Sequence, residues 1–175
     1  MSVITHARAM LVDIPVETVR TDAVQSFLKQ ETIVVDLDTD DGTPGRGYAY
    51  TIGTGGRAVL SMLRDHLLPA VIGQDVCRPE AIWLHAFSQT RATTVGAITS
   101  LALAAIDTAV WDARCRRDGE PLWRAAGGSN PEVPLYDTEG GWLHIDTSTL
   151  VANTVAARDG GWHGSKLKVG SPHPR

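Results

Sequence analysis

The stretch 93–117 constrains this chain more than any other. Val95, Ile98, Ala102, Ile106, Ala109, Val110 and Ala113 recur at helical spacing as one apolar stripe, while Asp107, Asp112, Arg114 and Arg116 mark its edges and far side. Gly119 and Pro121 are residue types that close a helix. A helix of that length with one apolar side draws its stability from packing, so it must lie against another layer.

Three upstream segments can build that layer. Residues 3–12 set Ile4, Met10 and Val12 on one face and Val3, Ala7 and Leu11 on the other, which predicts a strand. Residues 32–38 oppose Ile33, Val35 and Leu37 to Asp36 and Asp38. Asp40-Asp41-Gly42 then supplies turn chemistry before a further run at 47–51. Together these predict a three-stranded antiparallel meander. The connection 13–31 is long and polar, and such loops are usually functional or mobile. Val59, Met62, Leu63, Leu67 and Val71 predict a helix over 55–72, and Pro79 opens a shorter one carrying Ile82, Trp83, Ala86 and Phe87.

After residue 130 the rhythm changes. Residues 133–138 predict a strand, 147–158 a helix starting at a Thr or Ser cap and stopped by Gly160-Gly161, and 166–169 a second strand. Strand, helix and strand in so short a span form a βαβ unit, whose strands are parallel. The expected fold class is an α+β capping domain, an antiparallel meander plus helices, over residues 1–130. Residues 131–175 follow as the first two strands of a truncated (β/α) barrel. A closed barrel takes eight such units and roughly 250 residues, so an incomplete barrel domain is expected.

Composition narrows the function. Sixteen basic against twenty acidic side chains leave a net charge of −4, which argues against a nucleic-acid partner. No run approaches the ~18 apolar residues of a membrane span, so no membrane partner is expected. His6, Arg8 and Asp13 interrupt the N-terminal apolar run, so a secretory leader is not expected there. Two cysteines, Cys77 and Cys115, lack CxxC spacing and fit free thiols in a reducing cytosol, hence a cytoplasmic protein. The histidines lack metal spacing, so no zinc site is expected.

Gly53-Thr54-Gly55-Gly56-Arg57-Ala58 matches a dinucleotide fingerprint, in which backbone N–H groups at a helix start receive a pyrophosphate. The preceding strand belongs to a hairpin, and no parallel strand follows with a ribose-binding acid. A glycine loop bending over a neighbouring site is therefore the favoured reading. Asp107 and Asp112, five apart on a helix, do not share a face well and read as solvated or capping-contact residues. Lys166 and Lys168 point to the same side of a strand. On a surface strand they are a solvated pair. In a barrel strand, Leu167 and Val169 take the packed side and both lysines face the interior at the end where barrel sites form. Two ammonium groups crowded there repel, which favours one of them as a proton acceptor. Spacing alone leaves both readings open.

Taken in order, the segment from Ala97 to Asp112, then Gly119-Glu120-Pro121-Leu122-Trp123, Gly127-Gly128, Val133-Pro134-Leu135-Tyr136 and Gly164-Ser165-Lys166-Leu167-Lys168-Val169-Gly170 resemble the mandelate racemase/muconate lactonizing branch of the enolase superfamily. The likeness covers essentially the whole chain. It implies a capping domain over a (β/α) barrel that abstracts the proton α to a carboxylate with Mg assistance, as an acid-sugar or hydroxy-acid dehydratase or racemase. By this resemblance Lys168 is the general base, and Lys166 helps hold it and the substrate carboxylate. The segments around Val19-Arg20-Thr21 and from Tyr50 to Gly56 would close over a small carboxylic or sugar-acid substrate. The expected substrate contacts are thus Arg20, Tyr50, Thr54 and Gly55, with Glu139 and Trp142 from the loop after the first barrel strand. A homo-oligomer is also expected.

In this family three carboxylates on the following barrel strands bind Mg. After Gly141 the sequence offers only Asp146 and Asp159, neither at the C-terminal end of a strand. No metal ligand is assigned, and Mg is expected for the complete family enzyme but not for this chain alone. Without that charge the enediolate lacks its main stabiliser, so the chain alone is expected to be inactive. The alternative reading is a non-catalytic truncated module that acts by association.

Overall fold

The long helix lies on a three-stranded antiparallel sheet. A computed structural model describes residues 1–170; residues 171–175, the tail of the expected barrel segment, lie outside the described residues. The strands among the described residues are β1 (Ile4–Ile14), β2 (Arg20–Thr21), β3 (Ser26–Phe27), β4 (Gln30–Thr39) and β5 (Gly45–Thr51). The sheet order is β1-β4-β5, the expected meander, while β2 and β3 form a separate hairpin inside the long connection. The helices are α1 (Gly56–Met62), continued by a π-helical turn (Leu63–Leu67) into α2 (Leu68–Val71), then α3 (Pro79–Gln89), α4 (Ala97–Asp118), α5 (Leu122–Ala125) and α6 (Thr147–Asp159). Among the described residues no helix is long and apolar enough to cross a membrane. Cys77 and Cys115 are free and half-buried.

The residues divide into two compact units. One joins Met1–Pro15 to Lys29–Ser129, and the other joins Val16–Leu28 to the chain from Asn130 onward. The division expected at residue 130 placed 16–28 with the first unit; their contacts group them with the second.

In the first unit Ile33, Val35 and Leu37 are fully buried, as are Ala102, Ala105, Ile106, Ala109, Val110 and Ala113 of α4. Each large aliphatic side chain so buried contributes roughly 1.5–3 kcal/mol. The sheet approaches the helix closely because β5 has glycine where the two meet. A Cβ on Gly47 would collide with the Ala105 carbonyl and lie 2.5 Å from the Ala109 nitrogen. Val95, expected on the α4 stripe, falls before the helix start and is exposed.

β1 corrects the expected faces. Its register passes from Ile4 opposite Thr39 to His6 opposite Asp38, a β-bulge. One extra residue reverses the two-residue alternation. Ile4 is therefore buried, and so is Ala9, with Ala7 and Leu11 against the core, whereas Met10 and Val12 are exposed.

Three carboxylates tie elements together. Asp36 lies between Arg8, at 3.1 Å, and Arg46, at 2.6 Å, its cross-strand neighbours. Burial opposes its ionisation, but the hydrogen bonds from Arg46 and Arg8 outweigh that and hold the carboxyl below its usual range. Asp112 accepts from the Arg46 backbone N–H at 2.9 Å and from Arg116 Nε at 2.7 Å, so it anchors α4 to β5 instead of facing solvent idly. Glu31 accepts from Thr51 Oγ1 at 2.8 Å and from the Gly56 N–H at 2.9 Å, with Lys29 Nζ at 3.3 Å. The glycine loop thus delivers its helix N-terminus to the protein's own carboxylate, in the place a phosphate would take.

In the second unit β2 and β3 pair Arg20 with Phe27 and Thr21 with Ser26. The expected parallel pairing is present as a single bridge, Asp137 to Ser165, framed by Asp137 N–H to Gly164 O at 2.9 Å and Lys166 N–H to Asp137 O at 2.8 Å. Parallel strands are ordinarily covered on both faces. Val133, Leu135, Leu167 and Val169 are instead exposed, and the backbone around the bridge is irregular. The cap of α6 is Asp146, not the expected Thr or Ser: its carboxylate accepts from the Thr149 N–H at 2.9 Å.

Candidate active site

The second unit holds five of the expected site residues and brings four of them together. The organiser is Asp137, whose two carboxylate oxygens accept the Glu139 N–H at 3.1 Å and the Gly140 N–H at 3.0 Å. This Asx-type turn bends Glu139–Gly141 into a 3₁₀ turn. The Gly141 carbonyl then accepts the Lys168 N–H at 2.8 Å. Gly141 is buried, and a Cβ there would collide with the Lys166 carbonyl and sit 3.0 Å from Leu167 Cα. Only glycine lets the loop approach the lysine segment this closely. On its other side the loop joins the hairpin through the Leu143 N–H to Thr21 O bond at 3.1 Å.

Trp142 stands at the centre. Its ring and Phe27 pack in a T-shaped pair, with centroids 5.4 Å apart at 70°. Lys168 Nζ lies 5.1 Å from the ring centroid and Arg20 Cζ 5.9 Å, both within cation–π range. Arg20 Nε also pairs with Glu139 Oε2 at 2.7 Å. Asp22 accepts from the Gln25 and Val24 backbone N–H groups, which hold its carboxyl below the usual range, and the charge of Lys168 adds to that effect.

Arg20, Glu139, Trp142 and Lys168 are therefore one cluster. Lys166 is exposed and Lys168 half-buried, so the two lysines are not equivalent. The packed side expected for Leu167 and Val169 is not realised, since they are 44% and 83% exposed. Tyr50, Thr54 and Gly55 belong to the first unit. There Tyr50 is exposed at the end of β5, Thr54 is exposed, and Gly55 caps α1 at φ +99°. Phe27 and Asp137 escaped the sequence reading, while Gly141 was expected in the loop after the first barrel strand. The Asp137-x-Glu139-Gly140 pattern carries a legible turn signal, whereas a two-residue strand is too short for Phe27 to show any period.

Among the described residues no group of three or more His, Cys, Asp or Glu side chains could hold a metal ion. These residues do not fit a magnesium site. What the cluster can do chemically is present an amine beside a guanidinium, a carboxylate and an aromatic face, a setting suited to a polar, hydroxylated anion.

Residues 2–127 match the mandelate racemase / muconate lactonizing enzyme N-terminal domain. The chain is 34% identical over 174 residues to the 3,6-anhydro-alpha-L-galactonate cycloisomerase of Streptomyces coelicolor, covering 97% of this chain and 47% of that relative. The solved structure of L-talarate/galactarate dehydratase from Salmonella typhimurium, liganded with Mg and L-lyxarohydroxamate, aligns with a TM-score of 0.88 at 26% identity, covering 98% of this chain and 45% of that one. A racemase from Streptomyces coelicolor with bound magnesium aligns with a TM-score of 0.87 at 32% identity, covering 97% and 47%. The chain thus spans about half the length of these relatives.

Proposed function

The chain belongs to the mandelate racemase/muconate lactonizing enzyme family of the enolase superfamily, and from that membership we propose that it supplies the capping domain and the lysine-bearing segment of an acid-sugar dehydratase, cycloisomerase or racemase. Lys168, as the neutral amine, takes the proton from the carbon α to a carboxylate. Lys166 bonds that carboxylate, and Arg20, Glu139 and Trp142 contact the hydroxyl-bearing part of the substrate. The enediolate that forms either expels the β-hydroxyl, which takes up a proton from solvent and leaves as water, as in dehydration, or regains a proton from solvent on its opposite face, as in racemisation. Tyr50, Thr54 and Gly55 are proposed as substrate contacts on family resemblance alone. No step of this proposal runs through a metal held by the described residues.

The observation that supports the reading is the Lys168 N–H to Gly141 O bond, which seats the proposed base beside the loop bearing Glu139 and Trp142. The test is α-proton exchange. The protein is incubated with a panel of acid sugars and Mg²⁺ in D₂O, and loss of the α-proton signal is followed by NMR. This chain alone is expected to show no exchange; joined to the metal-binding strands of a complete family enzyme it should exchange at least one acid sugar, and there Lys168→Ala should lower exchange by ~10²–10⁴-fold without altering the fold. Exchange within tenfold of the parent in that variant overturns the assignment. Stable self-association with no exchange on any acid sugar favours the non-catalytic module instead.

A further inference from the structure

Trp142 is clamped on both sides of its backbone. Its preceding residue bonds to Lys168 and its following residue bonds to Thr21 of the hairpin. Its side chain is held differently. Among the described residues the buried indole Nε1 has no hydrogen-bond partner, so no polar bond there fixes the ring. A buried indole N–H ordinarily finds an acceptor. Packing therefore sets the orientation of this ring, and the T-shaped contact with Phe27 is the aromatic one that does so. Phe27 stands directly opposite Arg20 in the β2–β3 register, so one hairpin brings both residues to the indole. Arg20 shares the ring at 5.9 Å but is tied to Glu139.

Lys168 carries a flexible four-carbon stem whose ammonium can sample many positions. A base must stay within hydrogen-bond reach of the proton that it removes. The ring face 5.1 Å from Nζ narrows that sampling. We propose that Trp142 and Phe27 are positioning residues for Lys168: the indole face steers its terminal nitrogen and stabilises the ammonium that forms once the proton is taken, and Phe27 packs the indole in place. This inference rests on the reading of Lys168 as the base. Neither aromatic residue need touch the reacting atoms for this role.

The test exploits the lysine content. The sequence holds three lysines, Lys29, Lys166 and Lys168. Reductive methylation with ¹³C-formaldehyde keeps their charge and gives each a separate methyl signal, assigned by Lys→Arg variants. Lys29 lies in the first unit, paired with Asp13 and Glu31, and reports that the fold is retained. Lys168 should appear upfield of Lys166 through the indole ring current. In Trp142→Leu its signal should move to the position of Lys166, in Trp142→Phe it should stay partly upfield, and in Phe27→Leu it should move part of the way. Exchange activity should fall in the same order, by about 10²-fold for Trp142→Leu, as a misplaced catalytic group costs, with Trp142→Phe restoring part of it. A Lys168 signal that coincides with Lys166 in the parent, or that stays upfield in Trp142→Leu, overturns the positioning role while leaving the base assignment standing. A normal Lys168 shift with exchange indifferent to Lys168→Ala overturns the base assignment instead.

Discussion

Glu31 accepts a hydrogen bond from the Gly56 backbone N–H at 2.9 Å, across 25 residues of sequence. The same oxygen takes the Thr51 hydroxyl at 2.8 Å, so one buried carboxylate closes the end of β5 and the start of α1 together. A Cβ on Gly56 would lie 2.7 Å from that oxygen, which leaves no room for a larger residue or a phosphate. The glycine run at 53–58 therefore serves the interior of the domain.

Glu31 makes stability depend on pH. Its carboxyl is held below its ordinary value of 4.5 by the Thr51 hydroxyl and then the Gly56 N–H, against the opposing effect of burial. A lowered folded-state value means that its contribution is complete above 4.5 and is lost as pH falls below that through the folded-state value. Glu31→Gln should lower the urea midpoint at pH 7 and flatten its decline on acidification. Parallel midpoint-against-pH curves for parent and variant would contradict the contact.

The Gly47 contact predicts a steep cost. Gly47→Ala drives a methyl into the α4 backbone at Ala105 and Ala109. Backbone cannot step aside as a side chain can, so the loss should approach about 3 kcal/mol, the upper end for overpacking. Gly42→Ala is the control: it meets no atom within 4 Å and carries only the strain of φ +81°, about 1–2 kcal/mol. Chemical denaturation should rank Gly47→Ala clearly below Gly42→Ala. Equal midpoints would mean that sheet and helix are not in close contact.

Gly141 should matter to activity more than to the first unit. Gly141→Ala pushes against the Lys166 carbonyl and strains the Gly141 O to Lys168 N–H bond. A shift of the base by about 1 Å costs on the order of 10²-fold in rate. Exchange should fall by that factor while the methylated Lys29 signal stays in place. Unchanged exchange would show that the loop does not set the lysine segment.

Local pattern carried much of the fold. The alternation at Ile33, Val35 and Leu37, the turn after Asp40 and the alanine-rich stripe of α4 are each written within a dozen or so neighbouring residues, and periodicity reports such features directly. The likeness to a known family likewise rested on short runs kept in order, ending at Lys166 and Lys168. Of the site, Arg20, Glu139, Trp142 and Lys168 were named from the sequence by that likeness. Their meeting in one cluster was not visible, because Arg20 reaches Glu139 and Trp142 across more than a hundred residues and Lys168 reaches Trp142 only through the fold of the loop between them.

What the sequence determined by itself is therefore the set of elements and the candidate chemistry, since both depend on residue type and near spacing. The tertiary structure decided where those elements go out of phase and which side chains meet. The bulge between Ile4 and His6 exists because β1 pairs with β4, and it reverses every face beyond it. The hairpin at 16–28 belongs with the lysine segment because Phe27 packs on Trp142 and Thr21 bonds Leu143. Asp112 and Glu31 are anchors because a distant backbone N–H arrives at each. Such choices come from pairing and packing between remote segments, and no local period records them.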